Sequence, residues 1–226
     1  MIRRVSSLKK VLASMIVLGS MSFLTITGTF ALMSSDVNNG SSIVSGTLTF
    51  SNTVGTGVAC YSFNGPLNAN PSCDALLAPS TLMYPGTLAS AKVTIANNGS
   101  LDPSSLSVYM GSCTQTASPG APAYTSGGAN PCGLNGLQFY VQETNASGTP
   151  TTCWFPSGTT TCNLTNNTLF AFANTYKSAG NLLSLGAGPV NGASRYFVIG
   201  VELPATASNS LQGQEAQFSL TWGFAQ

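Results

Sequence analysis

The chain has 226 residues, 43% of them hydrophobic and only 6% charged, with no histidine and a formal net charge of +1. Arg3, Arg4, Lys9 and Lys10 precede the first apolar run. Only Lys92, Lys177 and Arg195 follow it, against Asp36, Asp74, Asp102, Glu143, Glu202 and Glu215. Three bases against six acids leave that remainder at −3, without the basic patch that nucleic-acid or anionic-membrane binding requires, so neither partner is expected.

Residues 1–31 read as a secretory signal: the basic start, an apolar run from Val11 to Ile26, and small residues leading to Thr29-Phe30-Ala31, with cleavage after Ala31. The alternative is an uncleaved membrane anchor, since the run approaches the ~20 residues a span needs. With no internal linker, a single domain is expected over 32–226. Its surface must be built from Ser, Thr, Asn, Gln and Gly, and such weak charge repulsion makes self-association an expectation too.

Leu32 to Ser42 is a short polar segment that signal removal frees. It is followed by an alternating strand with Val44, Gly46, Leu48 and Phe50 on one face. Asn52 to Leu82 reads as loop. Tyr84-Pro85-Gly86 makes a turn, and Ala89, Ala91, Val93 and Ile95 mark one face of a half-buried strand. That strand ends at Asn97-Asn98-Gly99-Ser100, residue types that accept positive φ in a tight turn. Leu106, Val108 and Met110 mark the next strand and Leu137, Phe139 and Val141 another, while Thr151–Phe155 with Thr159–Leu164 suggests a hairpin closed by cysteines.

One segment has helical spacing. Leu169, Phe172, Ala173 and Tyr176 recur at i, i+3, i+4 and i+7 within Asn167–Leu185, with Asn167 or Thr168 as N-cap and Gly180 as stop. Two long strands close the chain, with Phe197, Ile199, Val201 and Leu203 on the inner face of one and Ala216, Phe218, Leu220 and Trp222 on that of the other. About seven strands, no βαβ rhythm and one helix indicate an all-β fold, an antiparallel two-sheet sandwich with one short helix.

The six cysteines, Cys60, Cys73, Cys113, Cys132, Cys153 and Cys162, all follow the signal. An even count in an exported chain favours disulfides, and spacing alone does not choose their connectivity. The sequential set, Cys60–Cys73, Cys113–Cys132 and Cys153–Cys162, brackets stretches rich in Pro, Gly, Asn or Thr. Each closure could contribute ~2–4 kcal/mol through the unfolded chain. Thiolate metal ligation has neither CxxC spacing nor a histidine to support it.

Three blocks together resemble the TasA/camelysin family of secreted proteins processed by a SipW-type signal peptidase. The first is Gly28-Thr29-Phe30-Ala31 followed by Ser45-Gly46-Thr47-Leu48. The second runs from Tyr84-Pro85-Gly86 through Val93 to Asn97-Asn98-Gly99-Ser100-Leu101, and the third comprises Asn209 to Gln212-Gly213 and Phe218 to Trp222. The blocks cover the core but not Cys113–Leu164.

The resemblance implies a jelly-roll-like sandwich. It also implies an extracellular fibre or biofilm-matrix subunit, similar to TasA fibres and archaeal bundling pili, in which the N-terminal segment of one copy completes a sheet of the next. The donor here would be Leu32 to Ser42, with Leu32, Met33 and Val37 as its sizeable apolar residues. The partner would be the protein itself, with other matrix or cell-surface components, and the location secreted or cell-surface, free of the membrane once the signal is cleaved.

Two other readings remain open. Camelysin-like members are classed as metallopeptidases, but H-E-x-x-H chemistry needs histidines that this chain lacks. Serine and cysteine hydrolases also rely on a histidine base. Glu202 and Glu215 fall on solvent-facing strand positions, so no catalytic residue, metal ligand or cofactor is expected. A monomeric adhesin would instead use Tyr124, Trp154 and Phe155, exposed on the disulfide-tied loops.

Overall fold

The computed structural model describes residues 35–36, 47–62, 74–77, 83–117, 130–165, 167–207, 211 and 214–226. All of them fall in one compact unit, Ser34–Gln226. Strands β1 (Ser35–Asp36), β2 (Phe50–Val54), β3 (Cys60–Tyr61), β4 (Leu88–Asn97), β5 (Ser105–Met110) and β6 (Thr114–Ala117) come first. Then follow β7 (Gln138–Thr144), β8 (Pro150–Phe155), helix α1 (Leu169–Thr175), β9 (Leu183–Ser184), β10 (Ser194–Glu202), β11 (Gln214–Gln217) and β12 (Leu220–Ala225).

The strands form a six-stranded sheet, β3-β2-β4-β10-β7-β8, and a four-stranded sheet, β1-β12-β5-β9, with β11-β6 as a separate ribbon. Every pairing among them is antiparallel. The fold is the expected all-β, two-sheet antiparallel sandwich with one short helix.

Period-two burial makes the core. Val93 and Ile95 of β4, Phe197, Ile199 and Val201 of β10, and Phe139 and Val141 of β7 are buried on the larger sheet; Leu106, Val108, Met110, Trp222 and Phe224 are buried on the smaller. Aromatic contacts bridge the two: Phe50 stacks on Phe224 with ring centroids 4.2 Å apart, and Phe197 meets Trp222 at 5.1 Å. Offset or tilted pairs at these distances add to the area they remove from water. Helix α1 packs against β5 and β7, setting Phe172 against Phe139 at 4.7 Å.

Local chemistry fixes several boundaries. Thr168 caps α1, its Oγ1 accepting the Ala171 N–H at 3.1 Å. The helix ends at Thr175, short of the expected Gly180, because Tyr176 leaves helical φ/ψ and the chain then turns through a Ser178–Asn181 bridge. At Tyr84-Pro85-Gly86 the expected turn is present, with Gly86 at φ +81° and the Thr87 N–H donating to Tyr84 O. Gly99 differs from expectation. Its φ is not positive, and a Cβ there would lie 2.2 Å from Thr47 O, so close approach of two backbones requires the glycine.

Four further expectations are corrected. The first long strand is β2, beginning at Phe50 and running into Asn52–Val54, which read as loop because its polar residues carry no hydrophobic signal; pairing with β4 makes the strand. Thr159–Leu164 is not a strand and forms no hairpin with β8, which pairs with β7 instead. The final strand is two, β11 and β12. The β11-β6 and β12-β5 ladders meet at an offset of one residue, where Gly111–Cys113 face Phe218–Ser219, a bulge that kinks the pair. The count also exceeds seven because several strands have only two residues. Residues 44–46 lie outside the described residues.

Trp222 is 2% exposed and Thr221 lies on the opposite face. Trp222→Ala should cost about 3–5 kcal/mol, and Thr221→Ala about 0.5 kcal/mol or less. Urea unfolding of both variants checks this, and equal costs would contradict the register.

Candidate functional site

Each sheet of an open sandwich has two edges whose N–H and C=O groups need partners or water. Among the described residues, three of the four carry short local pairing. On the six-stranded sheet, β3 is only two residues long and is followed by Ser62, whose N–H donates to Phe50 O at 2.7 Å and whose Oγ accepts the Phe50 N–H at 3.0 Å. At the far edge, the Cys153 N–H of β8 donates to Thr159 O at 2.7 Å, in the loop that the Cys153–Cys162 disulfide holds against it. On the four-stranded sheet, β9 extends its pairing with β5 through Leu185 N–H to Leu106 O and Leu106 N–H to Gly186 O. The Met110 N–H finishes that edge on Tyr176 O.

The fourth edge is that of the last strand. β12 is six residues long, and on the side away from β5 the described residues add only β1, with Ser35 opposite Phe224 and Asp36 opposite Gly223. β1 comes from the segment singled out as a donor. The described pairing spans two residues of a six-residue strand whose Trp222 and Phe224 are core residues. Ala31, Leu32, Met33 and Val37 lie outside the described residues.

The disulfide framework follows the sequential expectation where it is described. Cys113–Cys132 and Cys153–Cys162 are bonded, with Cα atoms 5.7 and 5.2 Å apart. Cys60 is also disulfide-bonded, and Cys73 lies outside the described residues.

The exposed aromatic surface expected of an adhesin is corrected. Trp154 and Phe155 are partly buried against the core, and Phe155 meets Phe172 edge-on at 5.0 Å. Tyr124 lies outside the described residues.

Trp154 belongs to a cluster that sequence reasoning missed. Arg195 Nε and Nη2 donate to the two Glu143 carboxylate oxygens at 2.7 and 2.6 Å, and Arg195 Nη1 donates to Leu185 O and Ala187 O at 2.8 and 2.7 Å. The Trp154 Nε1–H donates to Glu143 at 2.9 Å, while the guanidinium lies over the Trp154 and Phe197 rings. Both charged side chains are about one-sixth exposed, at 16% and 17%. The cluster fastens the 185–187 segment, next to β9, onto the larger sheet. The strand register, which a single sequence does not carry, sets Phe197 opposite Glu143 and so Arg195 diagonal to it.

The other acids also act as fasteners. Asp74 Oδ2 accepts the Val58 N–H at 2.6 Å and Asp102 Oδ1 accepts the Asn191 N–H at 2.6 Å. Glu215 accepts from Gln217 at 2.9 Å. Glu202 neighbours Tyr140, whose phenol pKa burial raises above its ordinary value; a hydrogen bond with Ser90 opposes that rise and the Glu202 charge adds to it. The Tyr140 ring lies over Gly200, where a Cβ would come within 2.0 Å of it. Glu202 and Glu215 are both half-buried rather than fully solvated. Among the described residues no cluster of His, Cys, Asp and Glu could hold a metal ion, and no helix is long and apolar enough to cross a membrane.

No family model matches the chain, and no curated protein matches it.

Glu143→Gln should cost about 2–3 kcal/mol, because it leaves the mostly buried Arg195 guanidinium without its counter-charge. Chemical denaturation of the variant checks this. A loss within ~0.5 kcal/mol would mean that the cluster is not a fastener.

Proposed function

We propose that this protein is the structural subunit of an extracellular fibre, pilus or biofilm matrix, polymerising when the freed N-terminal segment of one copy adds as a strand to the β12 edge of the next. The observation that carries this reading is β1. Part of the candidate donor takes strand conformation and, within its own chain, pairs antiparallel with Gly223 and Phe224 at an edge of the four-stranded sheet. Main-chain pairing of this kind needs no charge, which suits a chain with 6% charged residues.

The resemblance to the TasA/camelysin family, a jelly-roll-like strand order and release by signal cleavage near Ala31 belong to the same reading. Two supports are independent of it. The disulfides are compatible with an oxidising, extracellular compartment. The charge that follows the signal is low, so little repulsion opposes self-association.

Processing is then the switch, because an uncleaved segment stays tethered. Deleting 32–42 from the mature protein should abolish fibres while the fold survives, since β2 and the core lie beyond the deletion. The thermal midpoint should move by no more than about 4 °C, the equivalent of ~1 kcal/mol. Val37→Pro should weaken assembly similarly by removing one N–H from the added strand. Pelleting, negative-stain images and circular dichroism of the mature, deleted and Val37→Pro proteins test this. Fibres from the deleted protein indistinguishable from wild type would sink the reading.

A further inference from the structure

We propose that Asn145, in the turn between β7 and β8, is the acceptor of an asparagine-linked glycan, a modification site on the surface of the exported protein. The proposal rests on the extracellular location in the reading above and is independent of strand donation.

The tripeptide Asn-x-Ser/Thr, with x other than Pro, that such transfer recognises occurs five times, beginning at Asn39, Asn98, Asn145, Asn163 and Asn166. Asn39 and Asn166 lie outside the described residues. The other three differ in what already holds the side-chain amide, and that decides among them. In the transfer, Asn Nδ2 bonds to the anomeric carbon of a glycan carried on a polyprenyl phosphate or pyrophosphate. The bond from that carbon to the phosphate oxygen breaks, the lipid phosphate leaves with the electron pair, and one Nδ2 proton passes to a base of the transferase. Nδ2 must therefore be exposed and unshared.

Asn145 meets both conditions. Residues Asn145 to Pro150 are all exposed. The Asn145 Oδ1 accepts the Thr149 N–H at 2.8 Å and the Ser147 hydroxyl at 2.7 Å, while Nδ2 has no hydrogen-bond partner among the described residues. A backbone N–H can only donate, so the atom facing it is the oxygen, and the nitrogen on the other side of the planar amide is turned away from those contacts. The turn holds this arrangement before any enzyme arrives. The Asn145 N–H donates to Thr149 O and the Gly148 N–H to Asn145 O, both at 2.9 Å, with Gly148 at φ +89°, and Lys92 Nζ donates to Ala146 O at 3.1 Å. The hydroxyl that the tripeptide requires two residues on is thus already bonded to the acceptor's own carboxamide.

Asn98 is closed. Its Nδ2 donates to Ser51 Oγ at 2.7 Å and Ala96 O at 3.4 Å, and Gly99 lies so close to β2 that a Cβ would come within 2.2 Å of Thr47 O. Drawing this tripeptide into a second protein's groove would first break those contacts. Asn163 is exposed, but its Oδ1 accepts the Thr165 N–H at 2.9 Å rather than a hydroxyl, and Asn167 Nδ2 holds its carbonyl at 2.9 Å, next to the Cys153–Cys162 disulfide. Of the three, Asn145 is the acceptor that the geometry favours.

The β7-β8 turn belongs to the six-stranded sheet, whereas the β12 edge belongs to the four-stranded one. A glycan at Asn145 adds hydrated surface to a chain with 6% charged residues without needing that edge.

The test is peptide mass analysis of the protein recovered outside its own cells, for wild type, Ser147→Ala and Ser147→Thr, beside circular dichroism. The wild-type peptide carrying Asn145 should be heavier than its sequence by whole sugar residues, and the peptide carrying Asn98 should have its bare mass. Ser147→Ala should lose the sugar with the fold intact, and Ser147→Thr, which keeps the hydroxyl, should retain it. Exported wild type bare at Asn145, sugar found at Asn98, or Ser147→Ala still carrying the sugar overturns the assignment and leaves the fibre reading standing. Wild type found only inside the cell overturns the glycan and the extracellular location together.

Discussion

Unpaired backbone at a sheet edge is the constraint on which this structure turns. Two sheets packed face to face solve the burial of their apolar sides, and Phe50 against Phe224 and Phe197 against Trp222 show how closely the two inner faces meet. Burial does nothing for the edges, where each N–H and C=O still needs a partner. Among the described residues, three edges carry short strands and loops of the same chain, one of them tied by a disulfide. The fourth, along β12, carries core residues yet has only Ser35–Asp36 beside it among the described residues. The proposed function starts from β1 at that edge.

A low charge count shapes the rest. Most of the charged side chains with described contacts are spent on holding the chain to itself: Arg195 and Glu143 bind one another and the 185–187 segment, Asp74 and Asp102 hold backbone N–H groups, and Lys92 lies over the Tyr196 ring at 5.1 Å while donating to Ala146 O at 3.1 Å. Charges used as fasteners leave little for steering a charged partner. Association through main-chain hydrogen bonds and apolar contact is the mode open to such a surface, and it should be little affected by salt.

How much could be read in advance depends on what each residue answers to. Val93, Ile95, Phe197, Ile199 and Val201 answer to one buried face, so alternation alone located their strands and faces. The Thr168 cap and the Gly86 turn are local chemistry and were equally legible. Asn52–Val54 is strand only because β4 lies beside it. Trp154 and Phe155 look like loop aromatics until β8 is seen to pair with β7, and Arg195 meets Glu143 across 52 residues of sequence. Each of these depends on register between distant segments, and a single sequence does not carry that information. The candidate site was half legible. The proposed donor was singled out by its position in the sequence, whereas the β12 edge became visible only with the sheet order.

The most direct measurement is a cross-link between two differently marked chains. Mature protein carrying Asp36→Cys is mixed with mature protein carrying Gly223→Cys, allowed to assemble, oxidised, and resolved without reductant. These positions face one another where β1 meets β12. Strand donation predicts a disulfide joining one chain of each kind, formed in fibres and absent from unassembled protein. Fibres that form without that cross-link, or a mixture that stays monomeric, would contradict the account.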